Sequence, residues 1–195
     1  MTISINQIKE LREETGVSVS ECKKALTEAK GDSEKAKDIL RKLGKELAIK
    51  KCGRQTEQGI IESYIHPNKR VGVLLDIRCE SDFVAKSDGF KKLAHEICLQ
   101  ITAMNPLFLK EEDIPKKILD SEKEIYKEQL KDSDKSKKIL DKIIDGKLKK
   151  YKEKVSLFSQ SWIKDDNKTI KDLIEENIGK IGENIIAQKF IRYEI

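Results

Sequence analysis

Apolar residues recur along this 195-residue chain in two rhythms, and the change between them divides it. Over the first 44 positions the spacing is helical. Ile5, Ile8 and Leu11 follow Ser4, a capping residue, and stop at Gly16. A second stripe, Cys22, Ala25, Leu26 and Ala29, opens at Ser18 or Ser20 and closes at Gly31. The third starts at Ser33, runs through Ala36, Ile39, Leu40 and Leu43, and ends at Gly44. Helices this short do not persist alone, so the pattern predicts a three-helix bundle over residues 1–44. Residues 45–58 are basic, lack aromatics and contain Gly53, which reads as a helical extension fading into a linker.

From Gly59 the period falls to two. Ile60 to His66 and Val71 to Cys79 read as strands joined by the turn residues Pro67-Asn68-Lys69-Arg70. In the second strand Val71, Val73, Leu75, Ile77 and Cys79 place apolar groups on one face. Glu80, Ser81 and Asp82 then break the alternation, and Phe83 and Val84 follow before a helix capped by Ser87 or Asp88. That helix carries Phe90, Leu93, Ala94, Ile97, Cys98 and Ile101 and ends at Asn105-Pro106. An aromatic on a short turn between a stiff strand and a helix reads as a wedge. A phenylalanine of unknown context belongs more often in the core, and Asp82 could simply accept from nearby backbone amides.

The remainder mixes both rhythms. Pro115 starts a helix with Ile118, Ile125 and Tyr126 facing inward, and Asp132-Ser133-Asp134 marks a break. A helix with Ile139, Leu140, Ile143, Leu148 and Tyr151 follows, spanning Gly146. Val155 to Gln160 reads as a strand, continued by Trp162-Ile163 toward a polar turn at Asp165-Asp166-Asn167. Thr169 and Asp172 suit a capping box before Leu173 and Ile174, and Glu183 or Asn184 to Ile195 forms a closing strand. The expected fold is α+β. A small antiparallel sheet of about four strands is covered by helices over residues 59–195, with a protruding helical pair at about 115–154.

Composition narrows the chemistry. Charged residues make up 38% and aromatics 5%, and no apolar run is long enough to cross a bilayer. With no signal-peptide pattern at Met1-Thr2-Ile3-Ser4, a soluble cytoplasmic protein is expected, with no membrane partner. Cys22, Cys79 and Cys98 sit on apolar stripes as small hydrophobes, which leaves Cys52 as the one candidate reactive thiol, without a base beside it. The net charge of +5 equals the excess of 14 lysines over 9 acids between Lys116 and Lys154, where the signs interleave. Such a stretch resembles a solvated helical face more than a stripe tracking phosphates.

Catalytic constellations are poorly supplied. Gly179-Lys180-Ile181-Gly182 lacks phosphate-cradle spacing and reads as a helix-to-strand turn, and no Gly-x-Gly-x-x-Gly follows any strand. His95 and Cys98 make half of a metal site with nothing to complete it, so neither a metal nor a cofactor is expected. His66, beside Pro67, is either a loop histidine with local bonds or a contact residue.

Leu11-Arg12-Glu13-Glu14-Thr15-Gly16-Val17 followed by Cys22-Lys23-Lys24-Ala25-Leu26 resembles the amino-terminal signature of bacterial or organellar translation elongation factor Ts, in its short form. Asp76-Ile77-Arg78-Cys79-Glu80-Ser81-Asp82-Phe83-Val84-Ala85-Lys86 resembles the second signature, and Gly182-Glu183-Asn184-Ile185 with Phe190 before Arg192 the closing segment. The resemblance spans the whole chain. It implies a guanine-nucleotide exchange factor for elongation factor Tu, without chemical catalysis. It further implies a ubiquitin-associated-like bundle that docks on the partner's nucleotide domain. Ser81, Asp82, Phe83 and Val84 then form the partner-binding segment, with the Asp82-Phe83 pair wedging beside the switch region and disturbing the magnesium site. His66, in the Ser63-Tyr64-Ile65-His66 hairpin, is implied as a contact with a second partner domain.

Two positions depart from the family pattern: Ser81 stands for the usual Thr, and Arg78 for the common Asn, where it either retunes a contact or faces solvent. Longer members duplicate the core, so the single copy here suggests a homodimer carrying two partners, a two-plus-two complex. The rival reading is a basic RNA-binding accessory protein of the ribosome, whose affinity would fall steeply with salt.

Overall fold

The computed structural model describes residues 3–131 and 136–195, and the break expected at Asp132-Ser133-Asp134 lies outside the described residues. Helices α1 (Ile5–Thr15), α2 (Val19–Glu28) and α3 (Ser33–Lys51) form the amino-terminal bundle. At the start of α1 the Ser4 hydroxyl accepts from the Gln7 amide at 3.1 Å, and the Gln7 side chain accepts from the Ser4 amide at 3.0 Å. That reciprocal box satisfies two otherwise orphaned donors. Leu11, Cys22, Ala25, Leu26, Ala29, Ala36 and Leu40 close the bundle core. Ile5 was expected on this stripe but is exposed, because the contact begins a turn later, at Ile8.

Helix α3 does not stop at Gly44. It continues to Lys51 and carries two cores in turn: Ala36 and Leu40 belong to the bundle, Ala48 to the larger cluster beyond. Gly44 serves contact rather than termination. There α3 crosses α8 (Ile170–Ile181) so closely that a Cβ on Gly179 would lie 2.9 Å from the Gly44 Cα. Lys45 and Asp172 pair at 2.6 Å beside the crossing, and Arg41 lies 3.5 Å from Glu176.

The larger core is built on β1 (Gln58–Ile65), β2 (Val71–Cys79) and β5 (Ile185–Glu194), antiparallel in the order β1-β2-β5. Val73, Leu75, Ile77 and Cys79 of the central strand are buried beneath α5 (Asp88–Met104), whose Phe90, Leu93, Ala94, Ile97, Cys98 and Ile101 are buried in return. Among the described residues nothing covers the opposite sheet face. Cross-strand pairing puts Ser63, Leu74 and Ile191 in one row and Ile65, Gly72 and Tyr193 in the next. Leu74, Ile191, Ile65 and Tyr193 are all exposed, as is Ile61.

Between Val155 and Gln160 the expected strand is replaced. Val155 ends α7 (Lys137–Val155), Ser156 makes one parallel bridge to Phe108, and Leu157–Ser159 form a 3₁₀ turn. The apolar density there comes from Leu157, buried in a turn, and not from alternation. The polar turn expected at Asp165-Asp166-Asn167 lies one step earlier, at Ile163-Lys164, within a hairpin of β3 (Ser161–Trp162) and β4 (Asp165–Thr169). The described residues thus hold five strands in two sheets, and the fold is α+β.

Helix α6 (Lys116–Gln129) packs chiefly on α7. Lys147 lies 5.2 Å over the Tyr126 ring and donates to the Gln129 side chain at 2.9 Å. Ile125 was expected inward and is exposed, because α6 packs chiefly on α7 and a single neighbour cannot cover every apolar position.

Candidate functional site

Strand β2 delivers its last residue, Cys79, fully into the core, where burial first and the nearby Glu183 charge second push the thiol up to about 11. The next three residues turn the chain outward. Ser81 caps a helix of five residues, α4 (Asp82–Lys86), its hydroxyl accepting from the Val84 amide at 3.3 Å. The sequence suggested a bare turn here; the capped helical turn is stiffer, because its backbone donors are satisfied. Val84 and Ala85 face the core and are buried. Phe83, one residue earlier, points away and is 81% exposed.

Each end of α4 is fixed. At its exit the Ser87 amide bonds the Val84 carbonyl at 2.9 Å, while the Ser87 hydroxyl caps α5 through the Phe90 amide at 3.3 Å. On the surface Asp82 and Lys86 pair at 2.7 Å, and the Lys86 ammonium holds the Asp82 carboxyl below its usual range. Asp82 accordingly answers to a side chain four residues on, not chiefly to the local amides.

At its entry stands a residue that the strand–helix reading did not single out. The Glu183 carboxylate accepts from the Glu80 and Ser81 amides at 3.1 and 2.9 Å and from the Ser81 hydroxyl at 2.6 Å. Glu80 answers in the other direction. Its carboxylate accepts from the Asn184 amide at 2.6 Å and meets Arg54 at 3.3 Å. Those bonds, the Asn184 amide first, hold the Glu80 carboxyl below its ordinary range. Asn184, itself buried, donates to the Arg54 carbonyl at 3.0 Å. The only sequence signal for this tie was the Gly182-Glu183-Asn184-Ile185 segment, which local periodicity marks merely as a strand start.

Of the expected site residues, Ser81, Asp82, Phe83 and Val84 stand together, with different duties. Phe83 and Asp82 are exposed, Ser81 caps, and Val84 anchors. His66 is elsewhere. It follows β1 at the end of the hairpin remote from Cys79, which pairs with Gln58 at the start of that strand. Its ring nitrogen lies 3.3 Å from the Tyr64 hydroxyl, and Tyr64 also meets His95 edge to face. Arg78 neither stands free nor reaches outward unpaired: it grips Asp76 two residues back through two hydrogen bonds. Cys52 is exposed, while Cys22, Cys79 and Cys98 are buried. Among the described residues no group of three or more His, Cys, Asp or Glu is placed to hold a metal ion, and no helix is long and apolar enough to cross a membrane.

A profile of the family described as Elongation factor TS matches residues 4–195. The chain belongs to the elongation factor Ts family. It is 53% identical over 195 residues to Elongation factor Ts of Thermotoga petrophila, covering 100% of this chain and 97% of that protein. Elongation factor Ts of Pseudothermotoga lettingae is 49% identical, covering 100% and 98%, and that of a Thermoanaerobacter species 46% identical, covering 98% and 94%. Membership carries the role of a guanine-nucleotide exchange factor for elongation factor Tu. The RNA-binding alternative gains no support from these elongation factor Ts relatives.

Proposed function

We propose that the chain drives GDP from elongation factor Tu mechanically, by pressing Phe83 beside the partner's switch region and disturbing its magnesium site. The observation that carries this reading is the 81% exposure of an aromatic ring on a helical turn whose backbone is tied at both ends. No covalent step is required of this chain. Exchange is a coupling between two ligands of one partner: whatever weakens GDP binding is weakened by GDP in equal measure. Magnesium is the natural lever, being a large local charge set against the phosphates.

Magnitudes show that the ring cannot act alone. Shifting a two-state preference by about 10⁴-fold needs ~5.5 kcal/mol of differential binding, and burying one phenylalanine supplies ~1.5–3 kcal/mol. The remainder falls to docking. We assign it to a module at residues 1–44, a connector at 45–58 and a core at 59–195; two separate apolar clusters support a module and a core, and the connector begins within α3, whose Ala48 already packs in the core. His66, at the end of the β1–β2 hairpin remote from Cys79, is suited to a second contact on the same partner.

The uncovered sheet face supports a homodimer. Ile61, Ile65, Leu74, Ile191 and Tyr193 present exposed apolar side chains on one sheet face, which can pack on its own copy around a two-fold axis, giving two chains and two partners. The working compartment on this reading is the cytoplasm. The deciding experiment is release of a fluorescent GDP analogue from elongation factor Tu. Phe83→Ala is expected to slow the stimulated release sharply, and an unchanged rate would remove the wedge.

A further inference from the structure

The loop after α8 touches both halves of the molecule within three residues. Gly182, left-handed at φ 83°, ends α8, and its carbonyl accepts from the Lys51 ammonium at the end of α3. Glu183 accepts three hydrogen bonds from Glu80 and Ser81, three and two positions before Phe83. Asn184 donates to Arg54, just beyond α3, and its amide binds the Glu80 carboxylate. Helix α8 is in turn locked to α3 at the Gly44–Gly179 crossing.

We infer that Glu183 is a positioning residue for exchange: its carboxylate fixes the entry of α4, and thereby Phe83, relative to the helix that carries the amino-terminal bundle. The inference rests on the wedge reading above. Three donors converge on one carboxylate, and two of them are backbone amides. Removing the carboxylate leaves those amides unsatisfied in a half-buried corner, and the ring rides on a looser turn. The ring would still reach the partner, but the force of docking by the bundle would be lost in bending the corner. Glu183 touches no nucleotide and needs no contact with elongation factor Tu.

The test measures release of a fluorescent GDP analogue from elongation factor Tu over a range of factor concentrations. Glu183→Ala, Glu183→Gln and Glu183→Asp are compared, each with Phe83 present and with Phe83→Ala. Glu183→Ala is expected to lower the maximal rate about tenfold while the half-saturating concentration moves less than about threefold. Glu183→Gln keeps an oxygen able to accept both amides and is expected to recover most of the rate. In the Phe83→Ala background Glu183→Ala is expected to cost nothing further, since the two residues act through one ring. Should Glu183→Ala fail to fold, Glu183→Asp, which keeps the charge and shortens its reach, carries the same comparison. A normal rate in the Glu183 variants beside a deficient Phe83→Ala overturns this inference alone. Equal losses with and without Phe83 overturn it too, because Glu183 would then act through something other than the ring. A normal rate in Phe83→Ala itself removes the wedge reading instead.

Discussion

Phe83 and Phe90, seven residues apart on consecutive helices, are placed at opposite extremes: one is 81% exposed, the other fully buried. Between them Val84 and Ala85 face the core and Ser87 redirects the chain. Phe83→Ala is therefore expected to leave the unfolding free energy within about 0.5 kcal/mol of the wild type, and Phe90→Ala to lose about 3–5 kcal/mol. In nucleotide release the order reverses for folded protein, with Phe83→Ala slowing the stimulated rate about 10- to 100-fold. Urea unfolding beside stopped-flow release checks both halves.

Asp172 joins the α8 capping box to the bundle helix. Burial pushes its carboxyl up, but the bonds from Lys45 and from the Thr169 amide and hydroxyl outweigh this and bring it down to about 2. Because the folded value lies below the ordinary 3.8, the stabilisation is complete above about pH 5 and is lost as pH falls through about 2. Lys45 is nearly half exposed, so the expected worth at neutral pH is on the order of 1–2 kcal/mol. Denaturation of the wild type and Asp172→Asn between pH 7 and pH 2 is expected to show a gap that closes only at the acid end.

Two helical glycines should answer oppositely to alanine. At Gly179 the new Cβ would sit 2.9 Å from the Gly44 Cα, which is backbone and cannot step aside. Gly179→Ala is expected to cost about 1–3 kcal/mol through a forced separation of α3 and α8, despite better helix propensity. At Gly146 nothing lies within 4 Å, and Gly146→Ala is expected to stabilise α7 by about 0.5–1 kcal/mol. Thermal unfolding of the two variants separates the cases by sign.

The exposed sheet face is open to test by sedimentation. Leu74→Lys puts a charge at the centre of the apolar rows, flanked by Ser63 and Ile191. If two chains pair there, the variant should sediment as a monomer at concentrations where the wild type is a dimer. A wild type that is monomeric at micromolar concentration, free and bound, would count against the pairing.

Elements whose determinants lie within a few residues were legible in the chain. Ser4 and Thr169 with Asp172 cap where the pattern placed them, Ser87 is the one of two candidates that caps α5, and Val73, Leu75, Ile77 and Cys79 of the β2 alternation are buried with Val71 half-buried. The stretches that misled were those where one local cue served a tertiary purpose. Gly44 looked like a stop and is a close-approach point inside a longer helix. Val155 to Gln160 looked like a strand because a buried 3₁₀ turn is equally apolar. Ile125 looked buried because a periodic stripe reports a face and not whether anything covers it.

For the candidate site, the sequence by itself determined that a strand ends at Cys79, that a polar break follows, and that Phe83 precedes a helix. Capping and periodicity act over about one turn of helix or a few strand positions, so a single segment contains them. Which way Phe83 points, and what holds it there, was decided only by the tertiary structure. Glu183 reaches Ser81 across more than 100 positions of chain. Burial likewise depends on packing partners supplied by β2, α5 and α8 together, which no local window includes.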